Sequence, residues 1–249
     1  MDLQERAAFV TGGSGDLGAA ICERLARAGC DLAVGYLGNK DGAEKVAGVV
    51  KGLGRKVTMV QLDQADAASC EPAVNAAAAG LGRLDILVNN AGWNIGIPFP
   101  ELDKLTVEVW DRLQHTNLRG PFLLAKAAVP HMRAQGAGRI VNIASIAGHR
   151  PTGSSIGYAT SKAALVHLTR CLAVALAPAI TVNCVSPGLI EGTRMAQRIP
   201  PAVVESVRKS VVLGRGADVK DIAAQVETFC RADSVTGQVL VVDGGLVFH

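Results

Sequence analysis

The sequence predicts an α/β fold in which a mostly parallel, seven-stranded sheet is doubly wound, with helices on both faces. Three observations predict it. Short, β-branched and nearly all-apolar runs recur along the chain. They alternate with longer alanine-rich segments of helical period. No composition break, linker or internal repeat divides the 249 residues. Strands apolar on both faces belong to parallel sheets covered on both sides.

The elements follow in order. Residues 7–10 form a first strand, and a glycine-rich turn opens a helix reaching about residue 28. Residues 31–36 form the second strand, and Val46, Val49, Val50 and Leu53 place a helix over 43–53 by their three-to-four spacing. A third strand at 56–62, a helix at 67–81 and a fourth strand at 84–88 come next. Residues 106–134 read as one long helical region, bent where Gly120-Pro121 interrupts it. A fifth strand at 139–144, a helix at 158–177, a sixth strand at 180–185, a helix at 219–231 and a last strand at 239–242 complete the chain.

Composition excludes several classes of function. At 49% hydrophobic and 19% charged residues the chain can bury a large core as a single domain, 1–249. A net charge of +3, dispersed along the sequence, does not suit nucleic acid. The six cysteines are scattered without a C-x-x-C pair, so structural thiols and no metal site are expected. The charged N-terminus lacks the apolar core of a signal peptide, and His167, Arg170 and Pro178 interrupt the most apolar stretch, 163–182. A cytoplasmic protein without a membrane partner is expected.

Doubly wound sheets bind ligands beyond the C-terminal ends of their strands. The first such loop is Thr11-Gly-Gly-Ser-Gly-Asp-Leu-Gly18. Glycines let backbone approach a pyrophosphate, and the following helix N-terminus offers free N–H groups. Gly12, Ser14, Gly15, Asp16, Leu17 and Gly18 are therefore candidate ligands of a dinucleotide, in a Rossmann-type domain. Further along, Tyr158 and Lys162 stand four apart on a predicted helix and can share one site. A nearby ammonium favours the phenolate and lowers the tyrosine pKa, which suits Tyr158 to proton transfer. Ser145, at the end of the fifth strand, can hold a carbonyl oxygen. Asn117 is polar among Leu113, Leu118 and Phe122, and reads either as functional or as a solvent-facing or helix-kinking residue.

These pieces, taken together with "LDQ" (62–64), "NNAG" (89–92), "HTNLRGPF" (115–122), "IVNIASIAG" (140–148), "YATSK" (158–162), "VNCVSPG" (182–188) and "TGQVLVVDGG" (236–245), resemble the short-chain dehydrogenase/reductase family in its compact, single-domain form. The likeness spans nearly the whole chain and includes 3-oxoacyl-carrier-protein reductases. The resemblance implies NAD(P)(H)-dependent oxidoreduction of a ketone, 3-oxoacyl group or secondary alcohol. Its catalytic tetrad carries over to Asn117, Ser145, Tyr158 and Lys162. Tyr158 would be the general acid or base, Ser145 would polarise the carbonyl, and Lys162 would lower the tyrosine pKa and bind the nicotinamide ribose. Asn117 would hold a relay water. Asp63, Gln64, Asn90, Ala91 and Gly92 would meet the adenosine side, and Pro187, Gly188, Ile190 and Thr193 would close over the nicotinamide. A substrate loop is implied around 189–215, with Trp93, Asn94, Ser145, His149, Leu189 and Met195 around the substrate; Trp93 and Met195 can equally be packing residues. The apolar helix 163–177 would pack on a copy of itself in a homodimer or homotetramer.

The carboxylate that an NAD-specific site usually places at the end of the second strand is absent, since Gly35-Tyr36-Leu37 occupies that place. NADP(H) is therefore the preferred cofactor, with NAD(H) possible, and Tyr36, Asn39 and Lys40 are the residues near the adenosine 2′ position. An extended-type epimerase or dehydratase, or a non-catalytic cofactor-binding scaffold, are the alternative functions. Asp16 replaces the compact family's middle glycine. Gly15 is expected to supply the lost backbone freedom, and the Asp16 side chain to cap the helix or meet solvent, away from the cofactor.

Overall fold

A computed structural model describes residues 1–194 and 196–248. Seven strands form one sheet in the order β3-β2-β1-β4-β5-β6-β7: β1 is Ala7–Val10, β2 Asp31–Tyr36, β3 Val57–Gln61, β4 Ile86–Asn89, β5 Gly138–Ile143, β6 Ile180–Pro187 and β7 Val239–Val242. Every pairing is parallel. The helices are α1 (Asp16–Arg27), α2 (Lys40–Gly52), α3 (Ala67–Leu81), α4 (Val107–Gln114), α5 (Gly120–Ala134), α6 (Ile156–Leu176), α7 (Pro201–Ser210) and α8 (Val219–Arg231).

Alternation along the strands builds two cores. On β1, Ala8 and Val10 face one side with Ile21, Leu25, Val50, Ile222 and Phe229 from α1, α2 and α8. Ala7 and Phe9 face the other with Val74, Leu81, Leu124 and Met132 from α3 and α5. Every residue of β1, β4 and β5 is buried, which is why these strands read as nearly all-apolar runs, with Asn89, Arg139 and Asn142 as buried polar exceptions. Five of the six cysteines are buried and all six are free. No described helix is long and apolar enough to cross a membrane.

Three differences from the expected elements bear on the site. Helix α2 starts at Lys40 rather than 43, because the Asn39 side chain accepts from Gly42 N and caps it. The region 106–134 is not one helix bent at Gly120-Pro121. It breaks a turn earlier, into a single π-helical turn, His115–Arg119, that places Asn117 inside the molecule. Pro121 instead occupies the first turn of α5, where a missing N–H costs no helical bond. The helix α7, within the segment expected to be a substrate loop, has no long apolar period to announce it.

The winding reverses between β1 and β4, which are neighbours in the sheet. The crevice of a doubly wound sheet opens at that point, and the loops after both strands converge on it.

Candidate active site

The turn after β1 is shaped by close approach. Gly12 takes φ +62°, and a Cβ on Gly18 would stand 2.2 Å from the Gly12 carbonyl oxygen. Gly15 does not supply the freedom expected of it: its φ of −89° is open to any residue. The left-handed position in this turn belongs to Gly12. Two neighbours brace it: Thr11 Oγ1 accepts from the N–H groups of Asn90 (3.1 Å) and Ala91 (3.0 Å), and Asn90 Nδ2 donates to the carbonyls of Thr11 (2.9 Å) and Gly12 (3.2 Å). Asn90 thus ties the turn to β4. The first-turn N–H groups of α1 have no acceptor further back in the helix. With the glycine cradle they fit a bound pyrophosphate, held by residues 12–18.

Asp16 sits at the first position of α1 but makes no cap. Its carboxylate accepts from the backbone N–H of Arg194 (2.7 Å) and from Arg194 Nε (3.3 Å), while Arg194 Nη2 reaches the Ser14 carbonyl at 3.5 Å. The expected cap is not formed, while the side chain is exposed to solvent and also pairs with Arg194. Nothing in the sequence singles out Arg194.

Beyond β2, Tyr36 is half-buried and Leu37 is exposed. Asn39 Nδ2 donates to the Ser14 carbonyl (2.9 Å) while its Oδ1 caps α2, so this amide links the second loop to the first. Lys40 is exposed and pairs with Glu44 at 3.7 Å. Asp63 is exposed, with Oδ1 accepting from Ala65 N at 3.0 Å. Gln64 is buried, and its Nε2 donates to the carbonyls of Ala91 (2.9 Å) and Thr116 (2.7 Å). Its Oε1 is buried without a partner among the described residues.

Asn117, Ser145, Tyr158 and Lys162 converge where β5 ends against α6. Ser145 caps a short 3-10 turn, Ile146–Gly148, and hydrogen-bonds to the Tyr158 side chain. Gly148 allows that turn to lie on α6, since a Cβ there would be 2.8 Å from the Lys162 carbonyl carbon. Lys162 is buried, and Nζ donates to the Ile143 carbonyl at 2.8 Å. Gly92 lies between it and Asn117: a Cβ on Gly92 would be 3.3 Å from Asn117 Oδ1 and 3.6 Å from Lys162 Nζ. Asn117 is fully buried, not solvent-facing. It accepts from Trp93 N (2.9 Å) and donates to the Trp93 carbonyl (2.9 Å) and Ser161 Oγ (3.1 Å). Ser161 Oγ donates in turn to the Tyr158 carbonyl at 2.7 Å, a link absent from the sequence reading.

The electrostatics differ from expectation. Burial holds the Tyr158 hydroxyl above its ordinary pKa, opposed by its hydrogen bond with Ser145. Lys162 Nζ donates to the Ile143 carbonyl and stands over the Tyr158 ring, 5.8 Å from its centroid. Burial also lowers the Lys162 pKa to about 8.

Around this cluster, Trp93 is half-buried under the Arg112 guanidinium, 4.2 Å from the ring centroid, and Asn94 follows it. His149 Nε2 and Ser186 Oγ are 2.9 Å apart. Pro187 ends β6, and Gly188 N donates to the Val242 carbonyl at 2.9 Å. Leu189 is half-buried, Ile190 bridges Ala217, and Thr193 Oγ1 donates to the Ile190 carbonyl at 2.8 Å. Met195 lies outside the described residues.

The family profile described as short chain dehydrogenase matches residues 6–203. The chain belongs to the short-chain dehydrogenase family. It is accordingly an oxidoreductase acting on carbonyl or alcohol groups with NAD(P)(H). This short-chain dehydrogenase is 36% identical to a 3-oxoacyl-[acyl-carrier-protein] reductase of Aggregatibacter actinomycetemcomitans, over 96% of this chain and 98% of that protein. The structure of a blue fluorescent protein from a metagenomic library, in complex with NADPH, superposes with a TM-score of 0.90 at 36% identity, covering 100% of both chains. An NAD+-bound xylitol dehydrogenase gives 0.92 at 29% identity, covering 98% of this chain and 100% of that one.

Proposed function

We propose that this short-chain dehydrogenase is an NADP(H)-preferring reductase of ketones or 3-oxoacyl groups, with Tyr158 as general acid. The observation that carries the reading is the convergence of Ser145, Tyr158 and Lys162 beside the loop after β4, with Asn117 across Gly92. When bound, the nicotinamide exchanges a hydride with the substrate carbon. Ser145 holds the carbonyl oxygen by hydrogen bonding, and the Tyr158 hydroxyl gives its proton to the developing alkoxide. A hydroxyl kept protonated by burial suits the acid role in reduction. Lys162 would hold the nicotinamide ribose, and its charge favours the negative charge that develops on Tyr158 as the proton leaves. Asn117 works mainly by position, tying Trp93 to the helix that carries Tyr158. Its Oδ1 retains a second lone pair for a water on the way to Lys162.

NADP(H) preference rests on the missing acid after β2 and on Lys40 at the start of α2. Asn39 supports that loop rather than offering a free amide. The 3-oxoacyl assignment draws on the named reductase relative. The chain acts as one domain with a substrate loop around 189–215, in the cytoplasm. Exposed Trp110, Phe122 and Val174 on α4, α5 and α6 suit packing on a second copy.

The test is NADPH oxidation with a panel of 3-oxoacyl thioesters and ketones. Tyr158→Phe should reduce turnover by about 10²–10⁴-fold while NADPH binding persists. Undiminished turnover would overturn the assigned role.

A further inference from the structure

Asp16 is an unfavourable residue for a phosphate-binding turn, because its charge opposes that of the ligand. The structure spends that charge on one partner. The carboxylate takes both the backbone N–H and Nε of Arg194, and the same guanidinium leans to the Ser14 carbonyl. Arg194 thereby joins two segments 178 residues apart in sequence.

The segment carrying Arg194 is anchored separately at its base. Ala217 N donates to the Leu189 carbonyl at 2.8 Å. The Glu191 carboxylate accepts from Gly216 N (2.8 Å) and from Arg208 Nε (3.1 Å) and Nη2 (2.5 Å), contacts that lower its pKa to about 2. Between this stem and α7, the other hydrogen bonds among described residues are local: Thr193 to Ile190, Ala196 and Gln197 to Thr193, Ile199 to Ala196. The tip meets the glycine turn through Arg194. Among its described residues, the segment is a strap with a fixed base and one clasp.

We propose that Asp16 and Arg194 are a positioning pair that clasps the 192–200 strap across the phosphate-binding turn and sets how fast the dinucleotide leaves. This rests on the reading of residues 12–18 as the dinucleotide's phosphate site. The pair has a second consequence. Arg194 neutralises a carboxylate that would otherwise face an anionic ligand, so the two residues are not equivalent. Removing Asp16 opens the clasp and removes the repulsive charge together. Removing the Arg194 side chain takes away the countercharge and leaves the carboxylate only the backbone N–H of residue 194.

The test compares Asp16→Gly, Arg194→Ala and the double variant by NADPH fluorescence, in stopped-flow release and equilibrium titration, with hydrogen exchange on the cofactor-free proteins. Loss of the two hydrogen bonds from residue 194 to the carboxylate should speed NADPH release about fivefold in Asp16→Gly. Arg194→Ala should weaken NADPH binding about tenfold, and adding Asp16→Gly should recover most of that loss. Amides of 192–199 should exchange faster without cofactor in Asp16→Gly, and Asp16→Glu should restore part of the protection. Exchange and release at wild-type rates would overturn the clasp, as would a double variant no tighter than Arg194→Ala. A wild-type protein that binds neither NADPH nor NADH would overturn the dinucleotide reading, and release control with it. The exchange result judges the clasp independently.

Discussion

Burial sets the working protonation states in the tetrad, and does so in opposite directions for its two titrating members. Tyr158 is held above its usual pKa and Lys162 is lowered to about 8. Reduction needs a protonated tyrosine and a charged lysine. Both conditions hold below pH 8; as pH rises the lysine loses its proton first. The kcat/KM for ketone reduction should therefore be flat through neutrality and fall above about pH 8, a limb that belongs to Lys162 in the free enzyme. Measuring the profile for the wild type and for Lys162→Arg checks this, since arginine stays charged and its variant should lose the limb even if its rate is lower. The same shift affects stability in a definite sense. Between pH 8 and the unfolded value of 10.5 the unfolded chain binds the extra proton, so stability rises with pH across that window. At this scale the sequence was informative about identity and less so about environment. Tyr158, Lys162 and Ser145 could be named from spacing and strand position. The orientation of Nζ, the burial of Asn117 and the pairing of Asp16 depend on segments distant in sequence, which no local pattern encodes.

The elements hold this site through a buried polar ladder. Asn89 Nδ2 on β4 donates to Asn142 Oδ1 on β5 at 2.8 Å, and Asn142 Nδ2 donates to Thr169 Oγ1 on α6 at 2.9 Å. All three residues are buried, so neither water nor another side chain is at hand when one is removed. Asn142→Ala should cost about 2–4 kcal/mol in urea unfolding, since it adds a small cavity to two lost buried hydrogen bonds, with Asn89 Nδ2 keeping the Pro121 carbonyl and Thr169 Oγ1 the Leu165 carbonyl. Because the ladder docks the helix of Tyr158 and Lys162 against the sheet, turnover of the folded variant should fall as well. Thr169→Val, which removes only the last rung, should cost less. Strands and helices bounded by strong turn signals were legible in the sequence, as for α3, whose Asp66 cap and Gly82 stop are both visible in it. The π turn at 115–119 was not, because the residues on both sides have helical period and the break comes from packing: Gly120 lies so near Gln64 that a Cβ would stand 2.6 Å from its carbonyl oxygen. The start of α2 was missed for a related reason, as Gly42 hides a helix that Asn39 caps.

Across the whole molecule, the two ends of the sheet do different work. The candidate catalytic groups gather where β5 ends, Ser145 after that strand, Asn117 on the π turn and Tyr158 and Lys162 on α6, and the segments at this end are joined by side-chain links that include Arg194 to Asp16 and Asn117 to Trp93. The opposite end holds Asp85, fully buried just before β4. Its carboxylate accepts from Ala7 N (2.9 Å) at the start of β1, from Arg6 Nη1 (3.2 Å), and from Arg83 Nε and Nη2 (both 2.7 Å). This one group pins the two central strands in register at their entry. Both arginines are partly exposed, so they retain water when the carboxylate is lost, but Ala7 N does not. Asp85→Ala should therefore destabilise by about 1–3 kcal/mol, the cost of leaving the buried Ala7 N–H without an acceptor. Asp85→Asn, which keeps an acceptor for Ala7 N, should cost less. Because no atom of this cluster lies at the catalytic end, kcat and KM of the protein that remains folded should stay at wild-type values in both variants. Urea denaturation and steady-state kinetics at low temperature separate the two quantities. A kcat that fell in proportion to stability would show that the ends of the sheet are coupled, against the division of labour that the topology indicates.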